Sequence, residues 1–398
     1  VAHRAAHADQ FGVKTTVEID GAAVMTRVRA YRDEFVAGIQ KQFETLPEGV
    51  RRKARARFDG PDQLSLDDGS RIKAKAVVIA TGARPSIPDF LADVQHAVLT
   101  NETIFDLRHL PRSVGVIGAG PLGLELAQAL ARLGVKVAIF DEGDALAGIK
   151  DPELANSLPD SLAAEFPIHL AVKLSARPTG KSVALSWTGR SNGSAEFDYI
   201  LAAAGRPPEL GNLGLETTGL QLDRHGAPHV DPATMQCGKA SIFAAGDAEH
   251  SRPVLHEAEA EGKIAGRNAA RFPCVEAVKR TTPLAIMFTD PAMAIVGMAP
   301  EDRKTVCGSA SYADQGRAKI FATNAGLVKI YADAKTGELL AAQMVGPAVE
   351  HTAHLLTWAI QKAMSAADLL AMPFYHPSYE EGLKPALQEI CNAIGKKI

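Results

Sequence analysis

One 13-residue stretch, Ser113-Val-Gly-Val-Ile-Gly-Ala-Gly-Pro-Leu-Gly-Leu-Glu125, constrains the fold of this chain more than any other. A short apolar strand runs into Gly118, Gly120, Pro121 and Gly123, and an apolar helix follows to about Arg132. Gly134 stops that helix, and a second strand from Val135 to Phe140 ends on Asp141. A dinucleotide site needs this order. The first glycine makes the tight turn, the second lets the backbone approach a pyrophosphate, and the third lets helix pack on strand. The helix N-terminus then faces the phosphate charge. A bare Gly-x-Gly-x-x-Gly is a weak signal, and it is the two strands, the helix and the terminal acid that give this one its meaning. Asp141 lies 18 residues past Gly123 (141 − 123), where a carboxylate takes both ribose hydroxyls and repels a 2′-phosphate. NAD is therefore expected over NADP. The bland alternative is an ordinary loop acid in Asp141-Glu-Gly-Asp144.

At 398 residues the chain is too long for one core, and two or three domains are expected. A net charge of −3 argues against nucleic acid as the main partner. The local run Arg51-Arg-Lys-Ala-Arg-Ala-Arg57 alternates with alanine and reads as the solvent face of a strand. No apolar stretch approaches the length of a membrane span, and no signal peptide opens the sequence. The cysteines Cys237, Cys274, Cys307 and Cys391 stand singly. No metal site or local redox pair is legible in them, and such usage suits a cytoplasmic protein. Each thiol reads by default as buried or incidental.

Two segments echo one another. Lys75-Ala-Val-Val-Ile-Ala-Thr-Gly-Ala-Arg-Pro85 and Tyr199-Ile-Leu-Ala-Ala-Ala-Gly-Arg-Pro-Pro208 are both apolar strands closing on glycine and then proline. The second closes the domain that Gly118 opens, with Gly205 lying 87 positions further on (205 − 118). An equal span counted back from Gly82 falls before Val1, so the opening turn of a sister domain is expected to lie outside this chain. Residues 1–49 fit that expectation. Their apolar positions Val24, Val28, Tyr31, Phe35, Ile39 and Phe43 have helical spacing, with no strand and glycine turn.

The remaining pattern predicts strands at Arg57-Phe58, Gln63–Leu66, Ala76–Ala80, Ile168–Ala176 and Val183–Trp187, then a helix from about Val254 to Ala270. From Thr281 onward it turns to α+β. Strands are expected at Ile286–Phe288, Ala294–Met298, Ala318–Phe321, Gly326–Tyr331 and Leu339–Met344, with helices at about 349–363 and 378–394. The fold class is α/β. It comprises two Rossmann-like nucleotide-binding domains, the first incomplete, and a C-terminal α+β dimerisation domain. The expected divisions are 1–100, 101–208, 209–280 (returning to the first domain) and 281–398.

Taken together, Ala80-Thr-Gly82, the turn from Gly118 to Glu125, Ala203-Ala-Gly-Arg206, Phe243-Ala-Ala-Gly-Asp247, and His376-Pro377 with Glu381 resemble the pyridine nucleotide–disulfide oxidoreductases. Within that family the chain looks most like the dihydrolipoamide dehydrogenases. The resemblance implies a flavoenzyme that passes electrons from a dithiol through a redox disulfide and FAD to NAD. It also implies a homodimer, a small dithiol substrate and, as a possible larger partner, a 2-oxoacid dehydrogenase complex. Gly246 and Asp247 match the segment that holds the flavin ribityl chain. Leu255 and His256 match the helix start facing the flavin ring, where a positive helix end stabilises negative charge. Thr81 and Gly82 match the strand end near the flavin, and Ala203, Ala204, Gly205 and Arg206 the strand end along NAD. Glu125 matches the glutamate beside the nicotinamide, its bland alternative being a first-turn acid that suits the helix dipole. In Phe374-Tyr-His-Pro-Ser-Tyr-Glu-Glu381, Pro377 is expected to start a helix with His376 at its lip. Glu381 can reach back to the imidazole, and the pair matches the family's base for the dithiol.

The chain also departs from the pattern. The paired cysteines and the first glycine turn of the family are absent from this sequence, so as written it lacks the relay between dithiol and flavin. The tail Glu380-Glu-Gly-Leu-Lys-Pro385 is similar to that of mercuric reductase, but Cys391 stands alone where that enzyme has a pair. Neither mercuric reductase nor soluble transhydrogenase carries this histidine, which places both behind the dehydrogenase reading. From another class, the rival is a non-catalytic dimeric NAD-binding fragment.

Overall fold

A run of buried residues on both faces marks a strand in a parallel sheet, and Ser113–Ile117 has that character, with Val114, Gly115, Val116 and Ile117 all buried. The computed structural model describes residues 1–149, 151–154, 162–299 and 302–396. They form two compact units: one of Val1–Arg29, Ile87–Gly205 and Thr282–Ile398, the other of Ala30–Ser86 and Arg206–Thr281.

In the first unit Ser113–Ile117 sits at the centre of five parallel strands. Their order is Val98–Leu99, Tyr199–Ala202, Ser113–Ile117, Lys136–Phe140, Ile168–His169. Helix Pro121–Ala131 lays Leu124, Ala127 and Leu130 into the core that Val114, Val116, Val137, Ile139 and Leu201 build. Gly134, at φ +86°, lies just beyond its end. The expected strand 168–176 is two strands. Ile168–His169 joins the parallel sheet, Ala171 turns the chain at φ +53°, and Val172–Thr179 begins an antiparallel trio with Ser182–Gly189 and Gly193–Phe197.

The C-terminal part of this unit is a five-stranded antiparallel sheet in the order Leu284–Met287, Ala292–Gly297, Leu339–Gly346, Leu327–Asp333, Thr305–Ser311. Helices Val349–Gln361 and Lys384–Ala393 bury Leu356, Leu387 and Ile390 against it. At Gly308 the approach is so close that a Cβ would lie 2.0 Å from the Ala386 carbonyl oxygen. Two expectations fail here. Ala318–Phe321 lies not in a strand but mostly in the short helix Gly316–Ile320, because the Gln315 side chain caps the Ala318 N–H at 2.7 Å. The edge strand is instead Thr305–Ser311, which its Cys, Gly and Ser content hides from an apolar-run reading. Likewise Pro377 starts no helix. A 3₁₀ turn begins at Glu380 and passes into helix Lys384–Ala393.

In the second unit Val77–Ile79 pairs parallel to Ile242–Ala244, beside helix Leu255–Arg271. Ala56–Gly60, Gln63–Leu66 and Arg71–Lys73 form an antiparallel meander. The basic run is therefore mostly loop, since the strand starts only at Ala56. Helix Gly21–Glu44, divided between the two units at Arg29, has the helical spacing expected of the opening residues, yet Phe35 (74%), Ile39 (57%) and Phe43 (64%) are exposed. Among the described residues no helix is long and apolar enough to cross a membrane.

Candidate functional site

The three glycines of the turn are small for different reasons. Gly118 has φ +113°, and a Cβ there would sit 2.3 Å from the Ala203 carbonyl oxygen. A Cβ on Gly123 would sit 2.1 Å from the Gly118 carbonyl oxygen. Those two are demanded by the protein's own packing. Gly120 is not, because a Cβ there would meet nothing within 4 Å. It precedes Pro121 at the first turn of the helix, where backbone N–H groups lack helical partners and the dipole is positive. Its lack of a side chain is useful only to something that comes in from outside, which is what a pyrophosphate would require.

Asp141 follows the second strand directly. Its Oδ2 accepts the Ala119 N–H and its Oδ1 the Gly143 N–H, both at 2.6 Å. The carboxylate is thus tied to the glycine turn itself, and each oxygen keeps further acceptor capacity for a ribose hydroxyl. Glu125 is half-buried, and its Oε1 accepts the Phe288 N–H at 2.7 Å. Ala203 donates its N–H to the Ile117 carbonyl at 2.8 Å, which closes the sheet beside Gly118. Ala204 and Gly205 follow, and Gly205 has φ +112°. Gly118, Gly120, Pro121, Gly123, Glu125, Asp141 and Ala203 therefore share one end of the parallel sheet.

In the second unit, Gly82 has φ +73° and its carbonyl accepts the Glu209 N–H at 2.8 Å, while Thr81 is exposed. Arg206 donates to the Ala83 carbonyl at 2.9 Å. Gly246, at φ +68°, begins a 3₁₀ turn that carries Asp247. Leu255, which is 86% exposed, and His256 open helix Leu255–Arg271, so its positive end is accessible. Sequence reasoning missed what stands behind this segment. The Gly246 N–H donates to Glu261 Oε2 at 2.7 Å. Glu261, fully buried, pairs with Arg280; Arg280 pairs with Glu257 at 2.7 Å, and Glu257 with Arg252 at 3.0 Å. Burial pushes the Glu261 carboxyl above its ordinary value. Burial acts the same way on Glu257, but the hydrogen bonds from Arg280 and Arg252 outweigh it and hold that carboxyl low. Two charges of each sign offset the cost of enclosing them.

His376 Nδ1 lies 3.0 Å from both Glu381 oxygens. The His376 side chain is 80% exposed and that of Glu381 only 18%. The Ser378 N–H also donates to Glu381, at 3.3 Å. The hydrogen bond from His376 and that backbone N–H hold the Glu381 carboxyl below the usual carboxylate range. With Nδ1–H given to the carboxylate, Nε2 remains as the unprotonated nitrogen of an exposed ring. All four cysteines are free thiols. Burial pushes the Cys237 thiol up to about 12, which leaves it inert. Among the described residues no group of three or more His, Cys, Asp or Glu could hold a metal ion.

The comparisons bear on the family of the chain. The family model described as pyridine nucleotide-disulphide oxidoreductase matches residues 5–262, and the dimerisation domain of the same family matches residues 284–387. Dihydrolipoyl dehydrogenase 3 of Pseudomonas aeruginosa is 29% identical over 96% of this chain and 84% of its own length. Dihydrolipoyl dehydrogenase of Bacillus subtilis is 28% identical over 96% of this chain and 85% of its own. Among solved structures, LpdA from Mycobacterium tuberculosis matches with TM-score 0.79 and 26% identity, over 98% of this chain and 86% of that one. The HOCl-induced flavoprotein disulfide reductase RclA of Escherichia coli shares the fold, with TM-score 0.78 and 21% identity over 91% of this chain and 85% of that one.

Proposed function

Because this chain belongs to the pyridine nucleotide-disulphide oxidoreductase family, we propose that it acts as a dihydrolipoyl dehydrogenase-like enzyme. In this reading a small dithiol gives up two electrons and two protons and becomes a disulfide. NAD⁺ takes up a hydride, and one proton is released. FAD, when bound, would supply the two-electron carrier that passes hydride to nicotinamide, and the paired cysteines that relay electrons to it in the family are absent from this sequence. Gly246, Asp247, Thr81, Gly82 and the open helix end at Leu255 and His256 are the residues here that would hold it. The turn from Gly118 to Gly123, with Glu125, Asp141 and the strand end at Ala203, Ala204 and Gly205, would hold NAD.

The observation that carries the reading is the His376–Glu381 contact at 3.0 Å. A dithiol reacts as its thiolate, so something must take the first proton. Glu381 fixes the imidazole tautomer, and His376 Nε2 then accepts the thiol proton. The match to the family's dimerisation domain supports a homodimer. A 2-oxoacid dehydrogenase complex is the larger partner consistent with the relatives' names.

In the holoenzyme, His376→Ala should slow dithiol-dependent NAD reduction by about 10²- to 10⁴-fold. NADH oxidation by a dye, which needs no thiol deprotonation, should stay within about twofold. Unchanged dithiol turnover would reject the role of His376. Purified protein without flavin absorbance that still binds NADH would instead favour a non-catalytic nucleotide-binding dimer.

A further inference from the structure

Helix Pro121–Ala131 does more than bring its N-terminus to the glycine turn. Glu125, Gln128 and Arg132 stand at i, i+3 and i+7 and share one face. All three grip the same short piece of chain, the end of strand Leu284–Met287 and the residues after it. Glu125 Oε1 accepts the Phe288 N–H at 2.7 Å. Gln128 meets both backbone groups of Asp290, accepting its N–H and donating to its carbonyl, each at 2.8 Å. Arg132 donates to the Asp290 carboxylate at 2.9 Å and to its carbonyl at 3.2 Å. Behind them Glu165 accepts from Gln128 at 2.8 Å and from Arg132 at 2.8 and 2.9 Å.

Gln128 is only 4% exposed, so an amide is enclosed where leucine would pack at less cost. Both ends of that amide are used on the main chain of 290, which fixes the segment in position and in direction. The next backbone donor held by the helix, Phe288 N–H, then meets Glu125. Among the described residues the second oxygen of Glu125 has no hydrogen-bond partner. We infer that Gln128 and Arg132 are positioning residues for the nicotinamide end of the NAD site. They clamp the 288–290 segment so that its backbone holds Glu125 in the orientation that receives the nicotinamide. The inference rests on the NAD reading of the glycine turn.

ADP-ribose separates this clamp from a general packing role, because it fills the same turn but carries no nicotinamide. Gln128→Leu keeps the volume and removes both hydrogen bonds to Asp290. NADH binding to the holoenzyme, followed by fluorescence titration, should weaken about five- to tenfold, while ADP-ribose binding should stay within about twofold. Gln128→Met, equally unable to hold Asp290 but more adaptable in shape, should show the same split, which covers the case of a leucine variant that does not fold. Equal weakening of both ligands, or weakening of neither, would overturn the inference. A wild-type protein that binds neither ligand would instead overturn the NAD reading beneath it.

Discussion

At the residue scale, the glycines of one motif separate into two kinds. Gly118→Ala and Gly123→Ala would each drive a methyl to within about 2 Å of a carbonyl oxygen, so the turn or the helix must move. Either should cost several kcal/mol and yield little folded protein, as overpacking of this severity does. Gly120→Ala meets open space, and its thermal midpoint should stay near wild type while NADH affinity falls about tenfold or more. An alanine at 120 with normal NADH binding would contradict the pyrophosphate assignment. The Glu381 carboxyl gives a pH test. Its folded value is depressed, chiefly by the hydrogen bond from His376, so the stabilisation it contributes is present above the ordinary glutamate range and is lost as pH falls through the depressed value. In His376→Ala the Glu381 carboxyl should titrate at higher pH by NMR, and the variant's deficit in melting temperature should shrink in acid. A deficit that stays constant down to acid pH would argue that the contact does not hold the carboxylate.

At the scale of elements, most of what was legible in the sequence was periodic. The strand, turn, helix and strand around Gly118 and the helix beginning at Leu255 are seen where the apolar spacing puts them. Ala318–Phe321 reads as a strand because four residues, three of them apolar, have no length to distinguish strand from helix, and a side-chain cap from Gln315 decides it. Strand Thr305–Ser311 escaped because Gly308 is demanded by the close passage of Ala386, a tertiary constraint invisible in local pattern. The contact of His376 with Glu381 was legible, five positions apart in a short motif. The grip of Gln128 on Asp290 was not, since 162 positions separate the two residues and neither carries a signature. Polar pairs at that range become visible only once the fold has brought them together.

At the scale of the whole molecule, nucleotide choice should appear as a difference in heat resistance. A ligand that binds only the folded state at 100 times its dissociation constant adds about 2.7 kcal/mol. NADH should therefore raise the melting temperature clearly. NADPH at the same concentration should do so much less, because its 2′-phosphate would meet Asp141, held in place by the Ala119 and Gly143 N–H groups. Equal shifts would remove Asp141 from the discrimination.

The tight passage of Ala386 over Gly308 reaches further than packing. Helix Lys384–Ala393 continues directly from the 3₁₀ turn that bears Glu381, so a change in the height of the helix above the sheet should also move the carboxylate against its histidine. A random mutagenesis screen scored on turnover should therefore recover changes at position 308 alongside those at 376 and 381. A glycine that touches neither thiol nor nucleotide would pass for a member of the reaction centre, when its part is to keep a lever at its proper height.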